Sequence, residues 1–154
     1  MKANERCNLN KADILGRWQI VSWCQEYDDG RVVFPMGQHL QGFIDYGAQG
    51  MFLVIEKTER ARFTSGGQWS ACDAEKASAY SSYMSYAGDY EVDDEMVIHH
   101  VQHSLYPDWE GGVQQRRASL NDELLCLSAR LEEGTSEARS ARLTWRRIAK
   151  DSRE

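Results

Sequence analysis

The chain has no apolar run approaching the roughly 18 residues that a membrane-spanning helix needs. Its opening residues, Met1-Lys2-Ala3-Asn4-Glu5-Arg6, are polar and lack the apolar core of a signal peptide, so a cytoplasmic location is expected. A basic excess is also missing. Lys and Arg number 18 against 24 Asp and Glu, a net charge of −6. The pairs Arg116-Arg117 and Arg146-Arg147 are too short for the clustered footprint that nucleic acid requires. Cysteine is sparse and scattered: Cys7, Cys24, Cys72 and Cys126 form no Cys-x-x-Cys pair, which speaks against a zinc ribbon or a thioredoxin-type site. In a reducing compartment all four are expected as free thiols. There is no Gly-x-Gly-x-x-Gly, no Walker loop and no Gly-x-Ser-x-Gly, and no cofactor is expected. Internal repeats and low-complexity tracts are absent as well.

What remains is alternation. Residues 1–9 read as a loose tail, Asn10 to Leu15 as one capped helical turn, and residues 150–154 as a charged tail around a single domain over 10–149. Gly16 to Tyr27 alternates as a long strand, with Trp18, Ile20, Ser22 and Cys24 on one face. Asp28-Asp29-Gly30 is a hairpin turn, and Arg31 to Phe34 return until Pro35 stops them. Strands follow at Gln41–Tyr46 and Met51–Glu56. The stretch 72–85 changes to helix-forming residues, with Tyr80, Tyr83 and Met84 at three-to-four spacing. It is either an aromatic stripe packed on the sheet or a lid offering Tyr80 or Tyr83 to a ligand. Four more strands come as hairpins: Gly88–Val92 with Glu95–Leu105, then Val113–Leu120 with Leu124–Leu131. Ala141–Ile148 is last. Short links between sequential strands predict an antiparallel meander. About eight to ten strands close such a meander into an all-β, up-and-down barrel that can hold one small ligand.

The candidate site is the stretch from Ile98 to Gly112, which holds three of the chain's four histidines within five residues. On a strand, His99, Val101 and His103 share one side, and His100, Gln102 and Ser104 the other. Either set can face the interior. The polar set is favoured here, since a water-filled cavity tolerates it and the next strand can bring Gln114 and Arg116 beside it. The alternative leaves that side in solvent. His100 is then the proton carrier, because imidazole titrates near neutral pH. Arg116 and Tyr46 are assigned catalytic roles with it. Gln102, Ser104, Trp109, Gln114, Tyr90 and Tyr83 are candidate ligand contacts. Metal is not expected: His99 and His103 lie roughly 13 Å apart along a strand, and no acidic ligand stands at matching spacing.

Gly16-x-Trp18 after a short helical turn resembles the opening of lipocalin and calycin barrels. There the Trp closes the floor and an Arg of the last strand packs over it, a place that Trp145-Arg146-Arg147 can fill. A wider set of residues resembles the bacterial and fungal lipocalin-like domain family. It comprises Leu15-Gly16-Arg17-Trp18-Gln19-Ile20-Val21-Ser22-Trp23, Gly30, Pro35-x-Gly37, and Gly42-Phe43-Ile44-x-Tyr46-x-x-x-Gly50-Met51. It continues with Tyr86-x-Gly88-x-Tyr90, then His99-His100-Val101-x-x-Ser104-Leu105-x-Pro107-x-Trp109-x-Gly111, and Gln114-x-Arg116-Arg117. The resemblance spans about residues 12 to 149 and implies a small intracellular barrel, some members of which occur beside biosynthetic or catabolic genes. It implies no particular reaction.

Two functions are expected from this reading. The first is a cofactor-independent isomerase, dehydratase, lyase or cyclase. It would act by proton transfer on a small oxygenated, partly apolar or aromatic metabolite, with Arg116 stabilising an enolate or carboxylate. The alternative is a non-catalytic carrier of a hydrophobic metabolite. Self-association as a homodimer is left open, as is a barrel packed solid and used for protein contacts.

Overall fold

A computed structural model of the chain describes residues 5–6 and 8–149. The elements run β1 (Glu5–Arg6), α1 (Lys11–Ile14), β2 (Gly16–Tyr27), β3 (Val32–Val33), β4 (Leu40–Gly47), β5 (Gly50–Lys57), α2 (Asp73–Ser81), β6 (Tyr83–Asp93), β7 (Met96–Ser104), a 3-10 turn (Pro107–Trp109), β8 (Val113–Asn121), β9 (Leu124–Leu131) and β10 (Arg139–Ala149). Strands β2 and β4 to β10 pair antiparallel with their neighbours, and the β8–β9 pairing closes the circuit. The result is the expected barrel of eight strands. Two hairpins turn on Asp94 (φ 54°) and Asp122 (φ 52°), acidic residues that tolerate the left-handed region.

The N-terminal segment differs from expectation. Glu5 and Arg6 pair with Asn121 and Leu120 of β8, and Leu9 is buried while its N–H donates to the Asp94 carbonyl. One buried leucine and a few ladder bonds are enough to hold this stretch against the barrel. The parts of the expected tails at residues 1–4, 7 and 150–154 lie outside the described residues.

The helical turn forms where the Asn10 cap predicts. Asn10 and Asp13 exchange side-chain and backbone bonds at 2.9 and 3.2 Å, the reciprocal pattern of a capping box. This turn plugs one end of the barrel. The Trp18 indole N–H donates to the Ile14 carbonyl at 2.9 Å. Arg147 lies 4.0 Å from the Trp18 ring centroid, and its guanidinium donates to the carbonyls of Leu15 and Asp13. Trp18, Ile14, Ile44, Val97 and Leu125 are fully buried there, so this half of the interior is solid.

Two irregularities aim the other half. In β2, Thr144 pairs with Ser22 but Trp145 pairs with Ile20, so Val21 is an extra residue in a bulge. The bulge reverses the alternation. Trp18 and Ile20 face inward below it, and Trp23 and Gln25 face inward above it. The single face expected for Trp18, Ile20, Ser22 and Cys24 is therefore broken after Ile20. A second shift falls between Ala87 and Gly88, opposite Val101 to His103. A Cβ on Gly88 would sit 1.9 Å from the His100 carbonyl oxygen, so only glycine permits this approach.

Helix α2 ends at Ser81, short of the expected 85. Tyr83 and Met84 pair instead with Glu56 and Ile55 of β5, because the ladder offers each residue backbone bonds and a packed face that outweigh helix propensity. Cys24 and Cys72 are free thiols. Among the described residues, no helix is long and apolar enough to cross a membrane.

Candidate functional site

Above the plugged floor the barrel holds a cavity of about 330 Å³. Most of its wall is aliphatic or aromatic: Leu53 of β5, Met84 of β6, Leu127, Ala129 and Leu131 of β9, Leu143 and Trp145 of β10, and Trp23 of β2. The buried Trp145 indole N–H has no hydrogen-bond partner among the described residues. Trp109 stands at the mouth, carried in by the 3-10 turn. Its ring meets Tyr86 edge-on at 5.7 Å and Tyr106 edge-on at 5.3 Å.

The main polar cluster draws on four strands, and Gln25 of β2 lines the cavity as well. β7 alternates Val97, His99 and Val101 inward, and His99 is 1% exposed. Its Nε2 lies 2.7 Å from the Tyr46 hydroxyl of β4, and its Nδ1 lies 2.6 Å from the Tyr86 hydroxyl of β6. Across the sheet Gln114 is the register partner of His99, and Arg116 that of Val97. Partners directly opposite in a ladder share a face, so both β8 side chains also reach the cavity. Arg116 donates from Nη2 to Gln114 Oε1 at 2.9 Å and from Nη1 to the Gln115 carbonyl at 3.0 Å. Among the described residues it forms no ion pair with a carboxylate.

This surrounding sets the protonation states. Burial, with the Arg116 charge and then His100 adding to it, pushes the His99 pKa down from 6.5 to about 3, so the ring is neutral at physiological pH. Burial drives the Tyr86 hydroxyl up to about 12 against the opposing pull of Arg116. Burial also drives Tyr46 well above the ordinary tyrosine range. The pocket thus presents neutral hydrogen-bonding groups beside one permanent cation.

The structure divides the expected residues. Arg116, Gln114 and Trp109 line the cavity. Tyr46 stands behind His99, fully buried. His100 and Gln102, expected inward, are on the outer wall. His100 Nε2 is 2.7 Å from Glu91 Oε1, and Gln102 donates to Asp89 at 3.2 Å. The register of β7 on β8 sends Val97, His99 and Val101 inward with Arg116, which leaves the even-numbered residues to solvent. Ser104 sits at the strand end, where its Oγ accepts from the Tyr106 N–H. Tyr90 packs on Tyr46 at 4.9 Å and donates to the Gly47 carbonyl at 2.9 Å. Tyr83 lies outside the main cavity, on an apolar groove of about 210 Å³ shared with Tyr80, Met84 and Trp109. Sequence reasoning weighed the His99 face and set it aside for that of His100, and it passed over Tyr86 and the β9 wall as site residues. The motif Tyr86-x-Gly88-x-Tyr90 carried a signal, since two tyrosines at strand spacing around a glycine share one face. Among the described residues, no three His, Cys, Asp or Glu side chains are grouped to hold a metal ion.

Comparison with known proteins agrees with this architecture. Over 89 residues the chain is 36% identical to the 4'-hydroxy-3'-methoxypropiophenone carrier protein ppsC of Aspergillus oryzae, covering 51% of this chain and 79% of that protein. No solved structure gives a significant match. A family model described as lipocalin-like domain matches residues 15–148, nearly the whole barrel, and the chain belongs to the lipocalin-like domain family.

Proposed function

We propose that this barrel is a carrier for a small, largely apolar, single-ring molecule with one oxygen-bearing end, and that it releases the molecule unchanged. The observation that carries the reading is the cavity: about 330 Å³ of mostly apolar wall with Tyr86, His99, Gln114 and Arg116 gathered on one side. At roughly 30 Å³ per water this space holds about eleven waters, or one ring-sized organic molecule. A ring burying roughly 200 Å² of apolar surface gains about 5 kcal/mol, part of which offsets the lost freedom of the ligand. The polar cluster then chooses orientation. The role in the relative's name, carrying an aryl ketone, is the same kind of task.

Proton transfer is less well supported. His100, the residue expected to shuttle the proton, is bonded to Glu91 on the outer wall. His99 stays neutral down to about pH 3, which makes it a weak base at neutral pH. One observation keeps a catalytic reading in second place: Tyr86 and Arg116 line one wall and could stabilise an enolate oxygen. One chain supplies the lining, so the carrier reading holds for a monomer and a homodimer alike. With Cys24 and Cys72 as free thiols, it assumes a reducing cytoplasm.

Titration with propiophenone, followed by tryptophan fluorescence, tests the proposal. Saturable one-site quenching is expected, with the ketone recovered unchanged by mass spectrometry after overnight incubation. Absence of saturable binding would overturn it. Conversion of the ketone would favour the catalytic reading.

A further inference from the structure

We infer that the polar side of the cavity offers only hydrogen-bond donors, because His99 carries its single proton on Nδ1, and that the ligand therefore meets it with an acceptor oxygen bearing no proton: a carbonyl, a phenolate or a carboxylate. The inference rests on the carrier reading for its ligand and on the geometry alone for its proton.

A neutral imidazole has one N–H and one lone pair, and here each ring nitrogen faces a tyrosine hydroxyl. Two arrangements are open. With the proton on Nε2, His99 donates to the Tyr46 oxygen and accepts from Tyr86. The Tyr46 O–H must then find another acceptor. Tyr46 is 0% exposed, does not line the cavity, and has no hydrogen-bond partner besides His99 among the described residues. That arrangement leaves a buried donor unmet and incurs its full desolvation penalty. With the proton on Nδ1, Tyr46 donates to Nε2, Nδ1–H donates to the Tyr86 oxygen, and the Tyr86 O–H is released. Tyr86 lines the cavity, so the surplus proton is delivered where a ligand can take it. In this arrangement neither tyrosine hydroxyl nor the imidazole N–H is left unmet once a ligand or water occupies the cavity.

The neighbours obey the same bookkeeping. Arg116 has donors and no acceptor, so Gln114 must present its carbonyl oxygen to Nη2. The Gln114 amide N–H pair is then left over, and the guanidinium keeps N–H groups of its own. Tyr86, Gln114 and Arg116 all donate, and neutral His99 is spent on the two tyrosines. A ligand hydroxyl proton meets only acceptor oxygens that are already engaged, Gln114 Oε1 by Arg116 and the Tyr86 oxygen by the imidazole. A carbonyl finds up to three donors. The Arg116 charge favours the anionic members of the class over the neutral one.

Two measurements test this, and they fail separately. Nitrogen-15 NMR of the ligand-free protein, assigned with a His99→Gln control, reads the tautomer directly. Nδ1 is expected in the protonated, pyrrole-like range and Nε2 in the pyridine-like range; the opposite pattern overturns the inference whether or not any ligand binds. Calorimetry then compares acetophenone, benzoate and α-methylstyrene, the last having the shape of acetophenone without its oxygen. Tyr86→Phe is expected to weaken acetophenone by about three- to tenfold and leave α-methylstyrene unchanged. A uniform change in both, or none in either, overturns the donor-only wall. Tighter benzoate than acetophenone names the ligand an anion, and the reverse order names it a carbonyl. If none of the three binds, the carrier reading fails and the imidazole shifts still judge the proton.

Discussion

Acidification should weaken this protein through His99. In the folded barrel burial holds the imidazole pKa at about 3, against 6.5 in water. Between those values the unfolded chain binds a proton that the folded chain refuses. The unfolded state then binds more protons, so stability rises with pH across this window and is lost as pH falls from 6.5 toward 3. Above 6.5 both states carry neutral rings and the term is flat. Each pH unit inside the window is worth up to about 1.4 kcal/mol, so the step from pH 7 to pH 4 removes about 3 kcal/mol. That is a large share of the roughly 5–15 kcal/mol of a typical domain. His99→Gln isolates the effect, since a carboxamide can donate to one tyrosine and accept from the other but does not titrate. At pH 7 the variant should be less stable by about 1–2 kcal/mol, because the amide cannot match both short contacts. The gap should close and then invert by pH 4. Asp28, Asp29 and Glu75 also have lowered pKa values, but they are common to both proteins and cancel. Urea unfolding of the pair at four pH values reads the difference. A constant offset from pH 7 to pH 4 would refute the reasoning.

Other substitutions test the remaining parts. Arg116→Gln should weaken benzoate by about tenfold or more while shifting the urea midpoint little, since it breaks no ion pair among the described residues; calorimetry and a melt check both halves. Arg147→Ala removes two carbonyl bonds and the cover over Trp18, and should cost about 2–4 kcal/mol by chemical denaturation. Gly88→Ala places a methyl against the His100 carbonyl. It should destabilise the barrel by about 2 kcal/mol or more and disturb the amide resonances of Gly88 to Val101.

The barrel was legible because its signals are local. Alternation, Asp-Gly and Asp-Asp turns and the Gly16-x-Trp18 opening each act over a few residues, and short loops leave an antiparallel meander little choice of topology. Arg147 over Trp18 follows from the same opening. Helix α2 was legible at its start and not at its end, where pairing with β5 took over. Arg116, Gln114 and Trp109 line the cavity, whereas His100 and Gln102, expected inward, face outward.

That failure has a physical origin. Both faces of β7 carry an imidazole beside apolar residues: Val97, His99 and Val101 on one, Ile98, His100 and Gln102 on the other. Sequence alone determined that this strand carries imidazoles and that its neighbour carries Arg116. Which imidazole looks inward depended on the register across the loop at 105–112, and a slip of one residue exchanges the two faces. The bulge at Val21 and the close approach at Gly88 likewise exist only once distant strands pair. Tertiary structure therefore decided that His99, and not His100, sits between two tyrosines, and with that the chemistry the cavity can offer.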